Sequence, residues 1–250
     1  MIDIHTHILP DLDDGAENFE EACIMAEMAV KSGVTALITT PHSNDEYGFL
    51  NEESLYMQKK FDDFRKILKM EKLSLEIYRG MEIWASADIP DKIQNGRLLT
   101  LNRSRYILIE FAFTEDAWWF DAIIREILAH GLIPIIAHPE RYMCVQENPN
   151  LLLEWRQLGA YAQMNKGSVL GRFGNRAAYT AENLLKNQMY SFIASDAHHY
   201  DMRTTDMREL KRYLMLYYEE NYWRELLEQN PLRVLQNRKI QSNYQPLYIK

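Results

Sequence analysis

Two histidines, spaced two residues apart, end the first apolar run of the chain, Met1-Ile2-Asp3-Ile4-His5-Thr6-His7. On a strand, residues i and i+2 point to the same side, so both imidazoles face one point at the strand's C-terminal end. The arrangement recurs. Asp14 follows in Asp11-Leu12-Asp13-Asp14-Gly15, His42 ends the run 36–42, and Glu82 ends 75–82. Glu110 ends 106–110, His138 ends 133–138, and Asp196 with His198 ends 192–198. A lone His-x-His is as often an ordinary surface pair as a metal site. Recurrence at the end of almost every apolar strand candidate is what favours a metal.

His5, His7, His42, His138, His198, Asp14, Asp196, Glu82 and Glu110 form a nitrogen and oxygen ligand set without thiolate. Such a set suits Mn, Zn or Fe better than a thiolate-rich structural zinc site, and it exceeds what one ion can use, so two or three ions are expected. Ions about 3.5 to 4 Å apart can hold a bridging water as hydroxide and stabilise both oxygens of an in-line displacement at phosphorus. Phosphate ester hydrolysis is the chemistry this predicts. Arg141, three residues past His138, and Arg203, five past His198, fall in loops at the same mouth. Isolated arginines commonly make surface ion pairs. Beside a metal site, their planar, permanently charged forks suit phosphate oxygens, which makes both candidate catalytic residues.

The elements that position these side chains follow from periodicity. Residues 19–31 carry Ala22, Met25, Ala26 and Ala29 at helical spacing, with Asn18 as cap and Gly33 as stop. Strands are predicted at 35–40, 74–82, 106–112, 133–137, 160–165 and 190–195. Helices are predicted at 51–69, 117–130, 149–158, 176–188, 205–219 and 221–237. Residues 88–103 read as irregular, with short helical fragments and an Asn95-Gly96 turn. Counting the N-terminal strand, seven strands emerge, mostly separated by helices. The continuous apolar runs at 106–113 and 132–137 are those of parallel strands buried on both faces. An α/β barrel accounts for the candidate ligands better than an open sheet, because closure brings all strand C-termini around one mouth.

The chain has 250 residues, 47% hydrophobic and 26% charged, enough for one large core. A single domain over 1–240 with a loose tail at 241–250 is expected. The net charge of -8 argues against nucleic acid or anionic lipid as partner, since either needs a basic excess. No apolar stretch approaches the roughly 20 residues of a membrane span, and the strand pattern begins at once, leaving no room for a signal peptide. A cytoplasmic location with reduced thiols is expected. Neither Cys23 nor Cys144 begins a Cys-x5-Arg loop, because Ala29 and Asn150 stand where the arginine would be. Both are read as packing residues.

Together, Ile4-His5-Thr6-His7-Ile8-Leu9-Pro10, Leu12-Asp13-Asp14-Gly15, Thr40-Pro41-His42, Gly80-Met81-Glu82-Ile83, Leu108-Ile109-Glu110-Phe111, Ile136-Ala137-His138-Pro139-Glu140-Arg141-Tyr142 and Ala194-Ser195-Asp196-Ala197-His198 resemble the PHP (polymerase and histidinol phosphatase) superfamily. Within it the chain closely resembles the bacterial manganese-dependent protein-tyrosine phosphatases of capsule and exopolysaccharide operons, from Met1 to about Arg203. The resemblance implies a distorted (β/α)7 barrel, a trinuclear Mn centre on the nine residues above, and Arg141 and Arg203 as phosphate-binding arginines. By analogy, His5, His7 and Asp196 share one ion and Asp14, His42 and His198 a second, while Glu82, Glu110 and His138 complete or bridge to a third. The implied partner is a phosphotyrosine protein, the tail of a cognate tyrosine autokinase. The loop 166–176 is one place where substrate preference can vary.

A phenolate, with a conjugate-acid pKa of about 10, leaves with little proton donation. A site of metals and arginines therefore suits aryl phosphates. Alternatives are a small-molecule phosphoesterase such as a histidinol-phosphate phosphatase, an amidohydrolase on a similar barrel, and a regulatory binder that docks the kinase without turnover. His130 is read as a helix C-cap and His199 as pointing away from the site. Trp118, Trp119, Tyr213, Tyr217 and Tyr218 are read as packing residues, and 62–72 as a solvated charged face.

Overall fold

The computed structural model describes residues 1–44, 46 and 48–249. Strand β1 (Ile2–Thr6) is fully apolar or buried beyond its first residue and pairs in parallel with β2 (Ala36–Thr39), which pairs with β5 (Glu76–Arg79). The helix between them, α1 (Phe19–Lys31), starts where expected: the Asn18 side chain accepts from the Glu21 amide at 3.0 Å. Its stripe Ala22, Met25, Ala26 and Ala29 is buried. A second sheet runs β10 (Phe192–Ala194), β9 (Tyr161–Asn165), β8 (Ile133–Ala137), β7 (Tyr106–Glu110), β6 (Glu82–Trp84), β3 (His42–Asn44) and β4 (Phe49–Leu50). All its pairings are parallel except β3 with β4.

The expected strand at 74–82 is two strands, and His42 opens β3 of its own beyond the strand expected at 35–40. The chain leaves the first sheet at Thr40-Pro41 and again at Gly80-Met81, entering the second sheet at His42 and Glu82. Pro41 has no amide to extend the first ladder. At Gly80 a Cβ would stand 2.8 Å from a methyl of Leu101 and 2.9 Å from a methyl of Ile38, so glycine leaves the room these two buried side chains occupy. Backbone bonds also tie β1 to the segment after β10: Asp196 donates to His5 and His7 to Ala197, both at 2.9 Å.

Helices α2 (Leu55–Met70), α3 (Ile89–Gln94), α4 (Ala117–Ala129), α5 (Met143–Glu147), α6 (Asn150–Leu158), α7 (Lys166–Val169), α8 (Asn175–Lys186), α9 (Arg208–Tyr217), α10 (Glu220–Arg224) and α11 (Asn230–Leu235) fill the connections, with one π turn joining the last two. Apolar side chains gather in two clusters that alternate along the strands. Tyr106, Leu108, Ile135 and Phe192 join Ile4 and Ile38 in the smaller cluster. Ile107, Ile109, Ile136 and Ile193 join the helices in the larger. The result is a mixed α/β fold with helices packed on a largely parallel set of strands.

Three expectations require correction. Trp118 is 66% exposed, because the buried stripe of α4 is Phe120, Ile123, Ile124 and Ile127 and a residue two before Phe120 lies on the far side of the helix. Tyr217 is exposed at the end of α9, whereas Tyr213 and Tyr218 are packed against the core. The tail is not loose over 241–249. Ser242 and Asn243 bond to the buried Glu225 carboxylate, and Ile249 exchanges two hydrogen bonds of 2.9 Å with the Asn150 side chain. Lys250 lies outside the described residues. Cys23 and Cys144 are half-buried against the core, and Asp62 and Asp63 pair with Arg65 and Lys66 on the solvated face of α2. Among the described residues no helix is long and apolar enough to cross a membrane.

Candidate metal centre

The nine candidate ligands converge. His5 and His7, two apart at the end of β1, are wholly buried, and their Nε2 atoms stand 3.1 Å from one another. Glu82 Oε2 lies 3.1 Å from His5, 3.3 Å from His7 and 3.0 Å from His42. Asp196 Oδ1 lies 3.3 Å from His5 and 3.4 Å from His7. Asp14 is reached by His42 at 3.5 Å and His198 at 3.3 Å. His138 meets Glu82 at 3.2 Å and Glu110 at 3.5 Å.

Three overlapping sets have their ligand atoms within 4.8 Å of one another: His5, His7, Asp196; His7, Asp14, His42, His198; and His42, Glu82, Glu110. The first is the grouping expected from the resemblance. The second adds His7, and the third takes His42 where His138 was expected. His138 instead faces the two glutamates of that set.

Local backbone serves the convergence. His138 and Asp196 follow their strands with φ of 34° and 49°, in the left-handed region that costs a non-glycine residue of order 1 kcal/mol or more. At Asp196, bonds to neighbouring groups hold this turn in place. Asn165, ending β9, donates to the Asp196 carboxylate and receives a bond from Gln163, whose Oε1 lies 2.9 Å from His5 Nδ1. Asp13 Oδ2 lies 2.8 Å from His7 Nδ1 and accepts the His42 amide at 2.8 Å. These contacts leave Nε2 of His5 and His7 turned into the cluster.

Charge in the cluster is unbalanced. Burial works against ionising Glu82, yet His5 and His42 beside it hold its carboxyl well below the usual range. Burial also opposes charge on Asp196, which the Arg203 guanidinium and His5 keep ionised. Glu110 goes the other way: burial, then the charges of Glu82 and Asp196, push its carboxyl well above the usual value. Burial brings His138 and His198 down to about 4, leaving the neutral imidazole that ligates metals. For His5 and His7 the neighbouring carboxylates outweigh burial and raise the pKa. The residues fit a divalent cation: His42 Nδ1, Glu82 Oε2 and His198 Nε2 are buried without a hydrogen bond, and all are hard or borderline donors.

Both arginines stand at the cluster. Arg203 donates to the Asp196 carboxylate, and Arg141 lies 3.9 Å from the same oxygen. The Arg141 guanidinium is sandwiched between Phe113 and Phe173, 4.3 and 4.6 Å from their ring centroids. Phe49, on β4, stacks on His42. These side chains open onto a cavity of about 370 Å³ lined by Phe49, Phe113, Arg141, Arg203 and the ligands. His130 bonds back to the Glu126 carbonyl at 2.9 Å as a helix cap, and His199 faces Glu21 at 3.3 Å, both apart from the cluster.

Sequence reasoning missed Asp13, Gln163, Asn165 and the three phenylalanines. For the second and third a signal existed: Gln163 and Asn165 are i, i+2 at the end of a strand, the same pattern as His5 and His7, but with amides in place of ionisable groups.

Fold and site together define a class: α/β proteins that collect histidines and carboxylates from parallel strand ends into one cation-binding cluster with two arginines beside it. The sequence model of the capsular polysaccharide synthesis family CpsB/CapC matches residues 1–236, and the chain belongs to that family. It is 36% identical over 209 residues to tyrosine-protein phosphatase YwqE of Bacillus subtilis, covering 84% of this chain and 82% of that one. It is 36% identical over 222 residues to a putative tyrosine-protein phosphatase CapC of Staphylococcus aureus, covering 88% and 86%. Among solved structures it matches one described with YwqE of Bacillus subtilis and CpsB of Streptococcus pneumoniae as unique metal-dependent tyrosine phosphatases. That match has a TM-score of 0.89 and 33% identity, over 100% of both chains. A lactonase, Lmo2620 from Listeria monocytogenes, shares the fold alone, with a TM-score of 0.58 and 11% identity over 95% of both chains.

Proposed function

We propose that this chain is a metal-dependent protein-tyrosine phosphatase acting on a phosphotyrosine protein of capsule or exopolysaccharide synthesis, the tail of a bacterial tyrosine kinase. One observation carries the reading: nine histidine and carboxylate side chains, from the ends or starts of six strands and the loop after β1, meet beside two arginines that share the Asp196 carboxylate. The family and the relatives' names point the same way. The finer fold, a distorted seven-stranded barrel, is supported by the two sheet crossings at Thr40-Pro41 and Gly80-Met81, by the backbone bonds that tie the end of β1 to Asp196 and Ala197 just after β10, and by the separate inner apolar cluster.

His5, His7, Asp14, His42, Glu82, Glu110, His138, Asp196 and His198 would hold two or three ions, Mn in our reading, with Fe and Zn compatible with the same donors. Bound there, such ions supply Lewis-acid charge and lower the pKa of water toward neutrality. The protein's own groups do the rest. Arg141 and Arg203 hold the non-bridging phosphate oxygens, Arg141 being fixed in direction by its two phenylalanines. Phe49 and Phe113 give the pocket apolar walls against which an aryl ring can pack. A phenolate leaves without a strong acid, so the pocket needs no dedicated proton donor. A cytoplasmic setting belongs to the same reading, because Cys23 and Cys144 stand unpaired as a reducing compartment keeps them.

The test is turnover by Mn-reconstituted protein of a phosphotyrosine peptide, p-nitrophenyl phosphate, histidinol phosphate and an amide substrate, alongside metal analysis with Mn, Fe and Zn. The peptide should have the highest kcat/KM. Peptide hydrolysis no faster than background would end the reading, and preferential turnover of histidinol phosphate or of the amide would replace it with a small-molecule phosphoesterase or an amidohydrolase.

A further inference from the structure

Beside the metal cavity lies a second, larger one of about 480 Å³, and Arg203 lines both. Phe173 forms part of the partition: its ring centroid is 4.6 Å from the Arg141 guanidinium and 5.6 Å from that of Arg203. The second cavity is rich in cations, with Lys166, Arg172, Arg208 and Arg212 joining Arg203 in its walls. Among the described residues three carboxylates line it, so positive charge is in excess in a chain whose net charge is -8.

Its cations are not all spoken for. Arg208 is held by Asp206. Arg172 pairs with Glu209 at 2.7 Å, but both are more than half exposed, and an exposed pair of this kind is worth at most about 1 kcal/mol. An entering carboxylate can share that guanidinium at little cost. Arg212 has no ion-pair partner among the described residues. The Lys166 ammonium, almost wholly buried, donates to the carbonyl oxygens of Thr204 and Asp206 and, among the described residues, meets no carboxylate within ion-pair distance.

We infer that this cavity is a substrate subsite that receives an acidic side chain of the peptide, roughly one to three residues from the phosphotyrosine seated in the metal cavity. The inference rests on the tyrosine-phosphatase reading above and adds a sequence preference to it. An extended peptide rises about 3.3 Å per residue, so a chain anchored by its phosphate at Arg203 carries its neighbours across the partition within that span. The occupant is anionic because the walls are cationic, and a carboxylate suffices because Arg172 and Arg212 offer forks rather than a closed phosphate cradle.

The experiment uses the Mn-loaded full chain and four phosphotyrosine peptides, with aspartates on the N-terminal side, the C-terminal side, both sides, or replaced by alanine. The wild type should favour an aspartate-flanked peptide about tenfold in kcat/KM over the alanine peptide. Arg212→Glu should reduce that preference, and Arg172→Gln combined with Arg212→Glu should abolish it. Turnover of p-nitrophenyl phosphate, which has no flanks, should stay unchanged in both variants. Equal turnover of all four peptides by the wild type, a preference that survives the double variant, or a parallel loss on p-nitrophenyl phosphate would overturn the subsite. If peptides are hydrolysed without preference, the subsite alone fails. If none is hydrolysed, the functional reading fails and the subsite with it.

Discussion

The Nε2 atoms of His5 and His7 face each other at 3.1 Å, and both look onto Glu82 Oε2 and Asp196 Oδ1 at no more than 3.4 Å. His5, His7 and Asp196 bring their ligand atoms within 4.8 Å of one another and would hold a cation together, with Glu82 beside them. His5→Ala should therefore lower bound metal by at least one ion per chain and reduce hydrolysis by about 100-fold or more, since both charge stabilisation and water activation depend on it. Circular dichroism should remain that of the folded chain, because β1 keeps its ladder with β2. Full metal content with full activity would remove His5 from the centre.

Asp13 governs the neighbouring imidazole without being among the nine. Its carboxylate holds His7 Nδ1 at 2.8 Å and the His42 amide at 2.8 Å. Asp13→Asn keeps the shape but loses the charge that fixes the His7 tautomer. Outer-shell changes of this kind cost about 10 to 100-fold in metal affinity. Competition with a chelator should register that loss, and an unchanged dissociation constant would show that Asp13 only closes the loop.

What the sequence revealed and what it withheld have physical reasons. Tyr106–Glu110 and Ile133–Ala137 were legible because unbroken apolar runs of strand length have few other uses, and their terminal Glu110 and His138 stood out against them. The crossings at Thr40-Pro41 and Gly80-Met81 were not, since each reads locally as a strand that simply continues. Asp13 and Asp14 are adjacent carboxylates, and only the direction of the loop assigns one to His7 and the other to His42 and His198. Phe49, Phe113 and Phe173 come from three distant segments, so periodicity carries no sign that they meet the site.

The phosphate-binding role proposed for Arg141 can be tested apart from metal holding. Its guanidinium lies 3.9 Å from the Asp196 carboxylate, its backbone amide donates to the His138 carbonyl at 3.0 Å, and its side chain stacks between two phenylalanines rather than on a ligand atom. Arg141→Ala should leave metal content intact and lower kcat/KM for aryl phosphate by about 100-fold, the scale for losing one preorganised donor. Arg141→Lys should restore only part, because an ammonium cannot stack or bind in a fork. Unchanged kcat/KM in the alanine variant would withdraw the role.

Gly15 packs against the backbone of His7. A Cβ there would run into the His7 carbonyl oxygen and stand 2.6 Å from the His7 Cβ. That carbonyl accepts the Ala16 amide at 3.0 Å, so the 13–16 loop cannot move outward without breaking the bond. Gly15→Ala should lower the melting temperature and metal affinity together. A variant with wild-type values of both would mean that the loop has slack the structure does not suggest.

Lys166 makes a pH prediction away from the ligands. Its ammonium is buried against the Thr204 and Asp206 carbonyls. Burial first, then Arg172, bring its pKa from 10.5 to about 8, although Asp3, Asp206 and Glu209 favour the charge. Between about pH 8 and 10.5 the unfolded chain holds more of this proton than the folded one, so unfolding free energy rises with pH across that window. The contribution is at most about 3 kcal/mol over the full range. Lys166→Met keeps the apolar stem and removes the titration. In denaturant titrations at constant metal, the stability of the wild type minus that of Lys166→Met should grow between pH 8 and 10, and it should be flat below pH 7. A difference independent of pH would mean that Lys166 keeps an ordinary lysine pKa in the folded protein.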